Sequence, residues 1–481
     1  MKRAALATGV LLVASTTMTT VAQASPLPEL TGAPGGSGGF NARVTGASAA
    51  STYFNPALLP DAHEDITIDF YVVGTSLTIT PAARPDSANV GNSIDDGWQR
   101  DGNGIKPLAW RPLPTSHLLP RQGDGSGSGA NSYVGLGLVK RILGQRLVLG
   151  VQLMMPAGNL QQQAAFFSDE REQFFGNSLH FEMLGDRLTL PVISFAVGGR
   201  ITPELSWGVG ASMGIATSVT SPVFVPDAGD YSIVFLDNDL SVSSKLSPHG
   251  GLVYRPVPNV SVSATVHAPF KVEVQGKNRI RVSDTDPVDQ VFTFVNGYEP
   301  LGVAAGAEWK LAEDGQGLGF VGTVMWRQWS SYEDRHGETP ADAWKDTFSG
   351  SLGARYVAGA LTAHLDGQYT PSPVPTQDGR SNYVDNDRVG GAAGVTLDTE
   401  LCGRRLRASL ALQGQRLLAR HVVKSATAAH PVYDEFPDDS VDTSLHPLPE
   451  AAGFQTNNPG YPGYASSGWI FGAGLSLETW F

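Results

Sequence analysis

The chain closes on Trp469-Ile470-Phe471-Gly472-Ala473-Gly474-Leu475-Ser476-Leu477-Glu478-Thr479-Trp480-Phe481. Taken at every second position, Trp469, Phe471, Ala473, Leu475, Leu477, Thr479 and Phe481 form one face; Ile470, Gly472, Gly474, Ser476, Glu478 and Trp480 form the other. A period of two is a strand signature, because successive side chains leave a strand on opposite sides. One face is oily and the other mostly small or polar. The run is long enough for a tilted strand of about ten residues crossing a bilayer within a closed barrel.

The same alternation recurs upstream. Leu205, Trp207, Val209, Ala211, Met213 and Ile215 oppose Ser206, Gly208, Gly210, Ser212 and Gly214. Val260, Val262, Ala264 and Val266 oppose Ser261, Ser263, Thr265 and His267; Leu361, Ala363 and Leu365 oppose Thr362, His364 and Asp366; Leu406, Ala408, Leu410 and Leu412 alternate with Arg407, Ser409 and Gln413. With weaker cases added, strands are predicted over 64–80, 131–142, 146–156, 188–200, 205–218, 238–256, 260–277, 291–311, 317–330, 346–357, 361–371, 387–398, 405–420 and 468–481. Residues 188–200 are apolar on both faces, which predicts a bulge there.

Connection lengths alternate as well. Gly144-Gln145, Thr202-Pro203-Glu204, Val257-Pro258-Asn259 and Glu313-Asp314-Gly315 carry turn chemistry. Between such turns lie long connections at 81–130, 157–187, 219–237, 278–290, 331–345, 372–386 and 421–467. Short turns on one rim and long loops on the other describe an outer-membrane barrel. The predicted fold is therefore all-β: a 14-stranded antiparallel transmembrane β-barrel. A secreted sandwich or propeller is the alternative. Fourteen strands enclose more room than Gly and Ser side chains fill, so the small face lines the lumen and the Leu/Val/Trp face meets lipid.

The N-terminus agrees with export. Lys2 and Arg3 precede a largely apolar stretch to Val21, and Ala22-Gln23-Ala24 offers a small-x-small cleavage site before Ser25. Residues 1–24 read as a signal peptide, with a retained helical anchor as the alternative. No later segment has eighteen consecutive apolar residues, so strands must hold the chain in any membrane. Residues 25–63 precede the first strand and contain the flexible run Pro34-Gly35-Gly36-Ser37-Gly38-Gly39. They are the expected lumenal hatch, or plug, with the barrel over 64–481.

Composition narrows the function classes. Fifty-six glycines and 16% charged residues suit a barrel with a small-residue lumen. A net charge of −13 argues against nucleic acid as a partner. The single Cys402 forms no internal disulfide and reads as a small residue near a turn. The ten histidines lack metal-ligand spacing. Gly35-Gly36-Ser37-Gly38-Gly39 matches the G-x-S-x-G pattern but lacks the strand-to-helix context that gives such a serine its meaning.

Two stretches carry a resemblance. Tyr53-Phe54-Asn55-Pro56-Ala57-Leu58-Leu59 follows a small-residue run, Gly46 to Ser51. Further on, Trp344-Lys345-Asp346-Thr347 is followed by Ser372-Pro373-Val374-Pro375 and Asp385-Asn386-Asp387-Arg388. These resemble, in order and spacing, the Asn-Pro-Ala, Trp-Lys-Asp, Ser-Pro-Val-Pro and Asp-x-Asp-Arg elements of the FadL family, outer-membrane transporters of long-chain fatty acids and other hydrophobic compounds. The terminal Phe481 likewise resembles the assembly signal of outer-membrane barrels. Asn55-Pro56 also reads as ordinary turn chemistry, Pro371, Pro373 and Pro375 as strand-enders, and Asp387 with Arg388 as a rim pair.

The resemblance implies capture of a hydrophobic ligand outside, binding in the barrel, hatch movement and sideways exit into the wall, with no nucleotide, ion or cofactor. A water-filled route suits such cargo badly, because each methylene costs about 0.8 kcal/mol in water and sixteen carbons about 12 kcal/mol. The hatch motif is Asn55, Pro56 and Ala57. Met154-Met155-Pro156-Ala157-Gly158 breaks a strand end, so Pro156 and Gly158 mark the expected lateral opening. Phe166, Phe167, Phe174 and Phe175 flank a charged run and offer a landing patch, or seal their own loop. Phe40 and Phe54 are candidate ligand contacts, and Arg43, Arg355 and Arg407 are candidate partners for a ligand carboxylate or for structural acids. The implied partners are a hydrophobic small molecule and outer-membrane lipid, with the protein a monomer. A diffusion porin and, behind it, an outer-membrane lipid hydrolase are the rival functions; no catalytic residue is assigned.

Overall fold

Fourteen of the alternating segments pair edge to edge until the last meets the first. The computed structural model describes residues 27–82, 125–144, 146–157, 179–184, 191–214, 217–226, 233–282, 288–334, 337, 339–340, 342–378, 381–401, 403–424, 460 and 462–481. Two short helices come first, α1 (Leu27–Thr31) and α2 (Ser51–Phe54), then a 3-10 turn, Pro56–Asp61. The strands are β1 (Asp65–Pro81), β2 (Gly125–Arg141), β3 (Val148–Pro156), β4 (His180–Phe181), β5 (Val192–Arg200), β6 (Leu205–Gly214), β7 (Thr217–Pro226), β8 (Ile233–Ser244), β9 (Ser247–Val257) and β10 (Val260–His267). They continue as β11 (Phe270–Val282), β12 (Val288–Glu299), β13 (Gly302–Lys310), β14 (Gly317–Arg327), β15 (Thr347–Ala358), β16 (Leu361–Thr370), β17 (Tyr383–Val384), β18 (Arg388–Leu401), β19 (Arg404–Val423) and β20 (Gly463–Trp480).

The closed order is β1-β2-β3-β5-β6-β9-β10-β13-β14-β15-β16-β18-β19-β20. Closure runs from Asp65 opposite Trp480 to Pro81 opposite Tyr464, so the C-terminal strand seals the wall along its whole length. A closed ladder satisfies every wall amide, which lipid requires. Among the described residues no helix is long and apolar enough to cross a membrane.

The outward face is the predicted one. Phe70, Val209, Leu352, Leu365, Phe471 and Leu475 are exposed, while Ser206, Ser212, Ser263, Ser409 and Ser476 are buried inside. Exposed Tyr254, Trp309, Phe320 and Tyr356 form an aromatic belt near the short turns, and Phe348, Tyr369 and Trp469 form another near the far rim. Tyr356 and Phe348 are eight residues apart on β15. That is ~26 Å along the strand and ~20 Å of height at ~40° tilt, close to the ~25 Å apolar band of such barrels. At the short turns, Gly144 and Gly315 take φ of 59° and 74°, which side-chain-bearing residues rarely adopt.

Four expected strands are each broken in two. The segments 205–218, 238–256, 260–277 and 291–311 become β6/β7, β9/β8, β10/β11 and β13/β12, and β12-β11-β8-β7 form a separate sheet continuing the same neighbour order beyond the rim. Pro269 and Pro300 fall in two interruptions and Pro248 beside a third, each removing a ladder donor. Side chains stitch the break instead: Ser244 Oγ accepts from Gly214 N at 2.9 Å, and Ser247 Oγ donates to Ala268 O at 2.8 Å. The bulge expected over 188–200 is absent from β5, whose register is continuous on both sides. Its inward Ala196 is apolar because it packs, with Val139 and Val148, on Ala49, Leu59 and Ala62 of the lumenal segment. Bulges lie at Val260/Val262 and Leu417/Arg420 instead.

Candidate functional site

Residues 27–62 fill the lumen, and the wall is built to receive them. A Cβ on Gly198 or Gly208 would lie 2.2 Å from Pro56 O or 2.3 Å from Pro56 C, and one on Gly251 would lie 2.2 Å from Asn55 Oδ1. Glycine is therefore required on β5 and β6, where backbone meets backbone, and on β9, where the wall meets the Asn55 side chain. Asn55 is fully buried; its Oδ1 accepts from Ala57 N at 3.1 Å and its Nδ2 donates to Arg43 O at 2.8 Å. The Asn55-Pro56-Ala57 motif thus caps the 3-10 turn and seats it on three strands. Below it, Asp61 is ion-paired to both Arg200 and Arg255 of the wall. The glycine run expected to be a loose lead is folded, with an Ala33–Gly39 bridge.

The upper side of this segment is held by charge. Glu29 of α1 pairs with Arg43, and its Oε2 lies 2.6 Å from Arg327 Nη2 on β14. Tyr53 OH donates to Glu29 Oε1 at 2.8 Å. Burial alone would raise the Glu29 carboxyl, but Arg43 and Arg327 outweigh it and hold it well below the usual carboxylate range. The Arg43 guanidinium also lies 5.4 Å from the centre of the Phe54 ring. Phe40, Arg43 and Phe54 line one small cavity with Glu29, Met325 and Arg327. The structure therefore brings three of the expected ligand contacts together, with Glu29 among them.

Above α1 the lumen turns apolar. Tyr71, Val73, Leu77 and Ile79 of β1 cluster with Tyr133, Met154, Leu417, Val422, Tyr464 and Ile470 from neighbouring strands, against Leu27 and Leu30 of α1. Leu179, Phe181, Leu184 and Val384 complete the cluster from the loops, where β4 and β17 pair in parallel. On the same lumenal face of β1 the lower positions are Asp65, Thr67 and Asp69. One strand thus carries a polar floor and an oily chamber.

This chamber reaches the end of β3 through Met154. β3 pairs with β2 only as far as Pro156 opposite Tyr133, and with β5 only to Met154 opposite Val192. β2 continues to Gly125, paired with β1. Among the described residues, the last bond on its other edge is Ala157 N to Ser132 O at 2.7 Å. Pro156 is the last residue of β3; Gly158, and the aromatic patch Phe166, Phe167, Phe174 and Phe175, lie outside the described residues, as does Cys402.

The three far-rim motifs converge. Asp346 Oδ1 accepts from Ser330 N at 2.9 Å and Lys345 N donates to Pro373 O at 2.9 Å. Asp387 does not pair with Arg388 as expected; its carboxylate accepts from Ser372 N at 2.8 Å and Tyr369 OH at 2.9 Å. Arg420 donates to the carbonyls of Val374, Pro375 and Asp385, tying the proline turn to the Asp-x-Asp-Arg turn. Trp344 stacks on Tyr332 with ring centres 3.6 Å apart.

Arg355 and Arg407 sit on the opposite side of the lumenal segment, lining a polar cavity near the short turns. Both are occupied. Arg355 binds Asp366 at 2.7 and 3.1 Å and Gly38 O at 2.8 Å, while Asp366 also accepts from Phe40 N and Asn41 Nδ2. Arg407 binds both oxygens of Asp398 at 2.6 and 2.9 Å. Their sequence pattern, an inward arginine, does not distinguish a ligand contact from an ion pair; the cross-strand acids Asp366 and Asp398 were the missing signal.

Comparison with solved structures finds a Pseudomonas aeruginosa FadL homologue, with 12% sequence identity and a TM-score of 0.53 over 96% of this chain and 98% of that chain. The chain has the FadL-type fold. The Pseudomonas putida toluene transporter TodX matches over 91% of this chain and 97% of its own, at 12% identity and a TM-score of 0.46. The Ralstonia pickettii toluene transporter TbuX matches over 91% and 96%, at 13% and 0.44. No family model and no curated protein matches the sequence. On a FadL-type fold at this identity, chemistry has to be argued from the chain's own residues.

Proposed function

We propose that this chain is a passive outer-membrane channel for small hydrophobic molecules, fatty acids or hydrocarbons, which enter from the long-loop side and leave sideways into the wall. The observation that carries this reading is the pairing of a filled lumen with an oily chamber that ends at β3. A hydrophobe entering past the loops exchanges water for Tyr71, Val73, Leu77 and Ile79 without crossing an aqueous pore. To lodge there it displaces Leu27 and Leu30, so α1 acts as a resident occupant and residues 27–62 as a movable plug. Met154 and Pro156 then offer the way out. Each step runs downhill in apolar burial, so no energy source is required. The neighbours named for toluene and FadL support a hydrophobic cargo.

A diffusion porin is the second reading, and the plug weighs against it. Uptake of a labelled hydrophobe by cells carrying the protein, with single-channel conductance recorded on the purified barrel, separates them. Uptake with negligible steady conductance supports the proposal; large steady conductance without uptake supports the porin.

A further inference from the structure

Resting on that reading, a device at the chamber's outer entrance can be identified. β4 lies in the connection between β3 and β5, and β17 in that between β16 and β18. Around the closed wall, β2, β1, β20 and β19 separate the two connections one way, and β6, β9, β10, β13, β14 and β15 the other, so their pairing spans the barrel mouth. It is the one parallel pairing among the described residues, Phe181 opposite Val384, with Glu182 N donating to Val384 O at 2.9 Å. So short a pairing does not hold by itself; side chains hold it. Leu179, Phe181, Leu184 and Val384 belong to the oily chamber, while Met183 and Tyr383 join a second apolar cluster with Trp329, Tyr332 and Trp344. Tyr332 OH donates to the buried Glu182 carboxylate on one strand's flank, and Tyr383 OH on the other strand donates to Asp334 Oδ2 at 2.9 Å. One segment, reaching over from the end of β14, therefore grips both strands through a donor and an acceptor set two residues apart.

We infer that β4 and β17 are a lid across the outer mouth, latched by Tyr332 and Asp334, which a hydrophobe must part before it reaches the chamber. The channel then has two barriers in series, this lid outside and residues 27–62 within. Neighbouring strands lie ~4.8 Å apart, inside the ~4.4–6.8 Å that a disulfide accepts between Cα atoms, so Phe181→Cys, Val384→Cys, Cys402→Ser locks the lid reversibly. Uptake of labelled toluene by cells carrying this protein should fall to background under oxidation and return on reduction. A second arm adds no bond. In Leu77→Cys, Cys402→Ser, the chamber thiol should react with a membrane-impermeant maleimide added outside about tenfold faster once Tyr332→Phe and Tyr383→Phe remove both latch hydrogen bonds. Steady conductance should stay closed in that variant, because the plug is untouched. Undiminished uptake by the fully cross-linked protein overturns the inference, as does an unchanged labelling rate in the latch variant; in both outcomes the channel reading stands. If the Cys402→Ser parent takes up no toluene, the channel reading falls, and the labelling rates still decide the lid.

Discussion

Glu29 Oε2 lies 2.6 Å from Arg327 Nη2, and this contact joins the first helix of the plug to wall strand β14, 298 residues further along the chain. Both groups are buried, so losing one partner strands the other. Breaking a buried pair this way costs about 3–5 kcal/mol. In Glu29→Gln the barrel should still fold, but the plug should loosen, seen as brief conductance openings that the wild type lacks.

The same pair sets a pH dependence. The native Glu29 carboxyl is held below its ordinary value, burial opposing and Arg43 with Arg327 prevailing. Its stabilisation is therefore complete above the unfolded value near 4.5 and lost as pH falls through the lower native one. Conductance should stay closed from about pH 7 to about pH 5 and show openings only in more acid solution. Openings that begin near neutral pH would mean that another group controls the plug.

Gly208 tests the seat of the Asn55-Pro56 turn. Its missing Cβ would meet Pro56 C at 2.3 Å and Ala57 N at 2.5 Å, backbone atoms that have no rotamer to escape into. Gly208→Val should cost about 1–3 kcal/mol by overpacking and expose residues 27–62 to protease. Gly367→Ala, where nothing lies within 4 Å, is the control and should leave the plug protected.

Val73 probes the oily chamber. It is buried among Tyr71, Leu77 and Tyr133, and Val73→Thr keeps its shape while adding a hydroxyl. Burying that group costs about 1–3 kcal/mol, so affinity for a hydrophobe should fall by about tenfold. Unchanged affinity in a folded variant would remove the chamber from the route.

The wall was legible because lipid on one side and a lumen on the other impose a period of two that local sequence records directly, as at Trp469 to Phe481. The broken strands were not. Pro248, Pro269 and Pro300 each look tolerable alone, and only the pairing of their strands puts them at one height. The inward side of β1 was also obscure: Tyr71 and Val73 alternate with outward Phe70 and Val72, Leu77 and Ile79 with outward Ser76 and Thr78, and nothing local says that their partner is α1 rather than lipid. Arg355 and Arg407 show the same limit in reverse. Both are inward arginines, but Asp366 from the neighbouring strand satisfies the first and Asp398 the second.

The central claim is that a hydrophobe passes only when residues 27–62 yield, and a reversible lock measures this most directly. An ideal Cβ on Gly35 lies 2.9 Å from Ser476 Cβ, within an ångström of the ~3.5–4.5 Å that a disulfide spans. In a Gly35→Cys, Ser476→Cys, Cys402→Ser protein, uptake of a labelled hydrophobe should fall to background under oxidation and return on reduction. Undiminished uptake by the fully cross-linked protein would contradict the account.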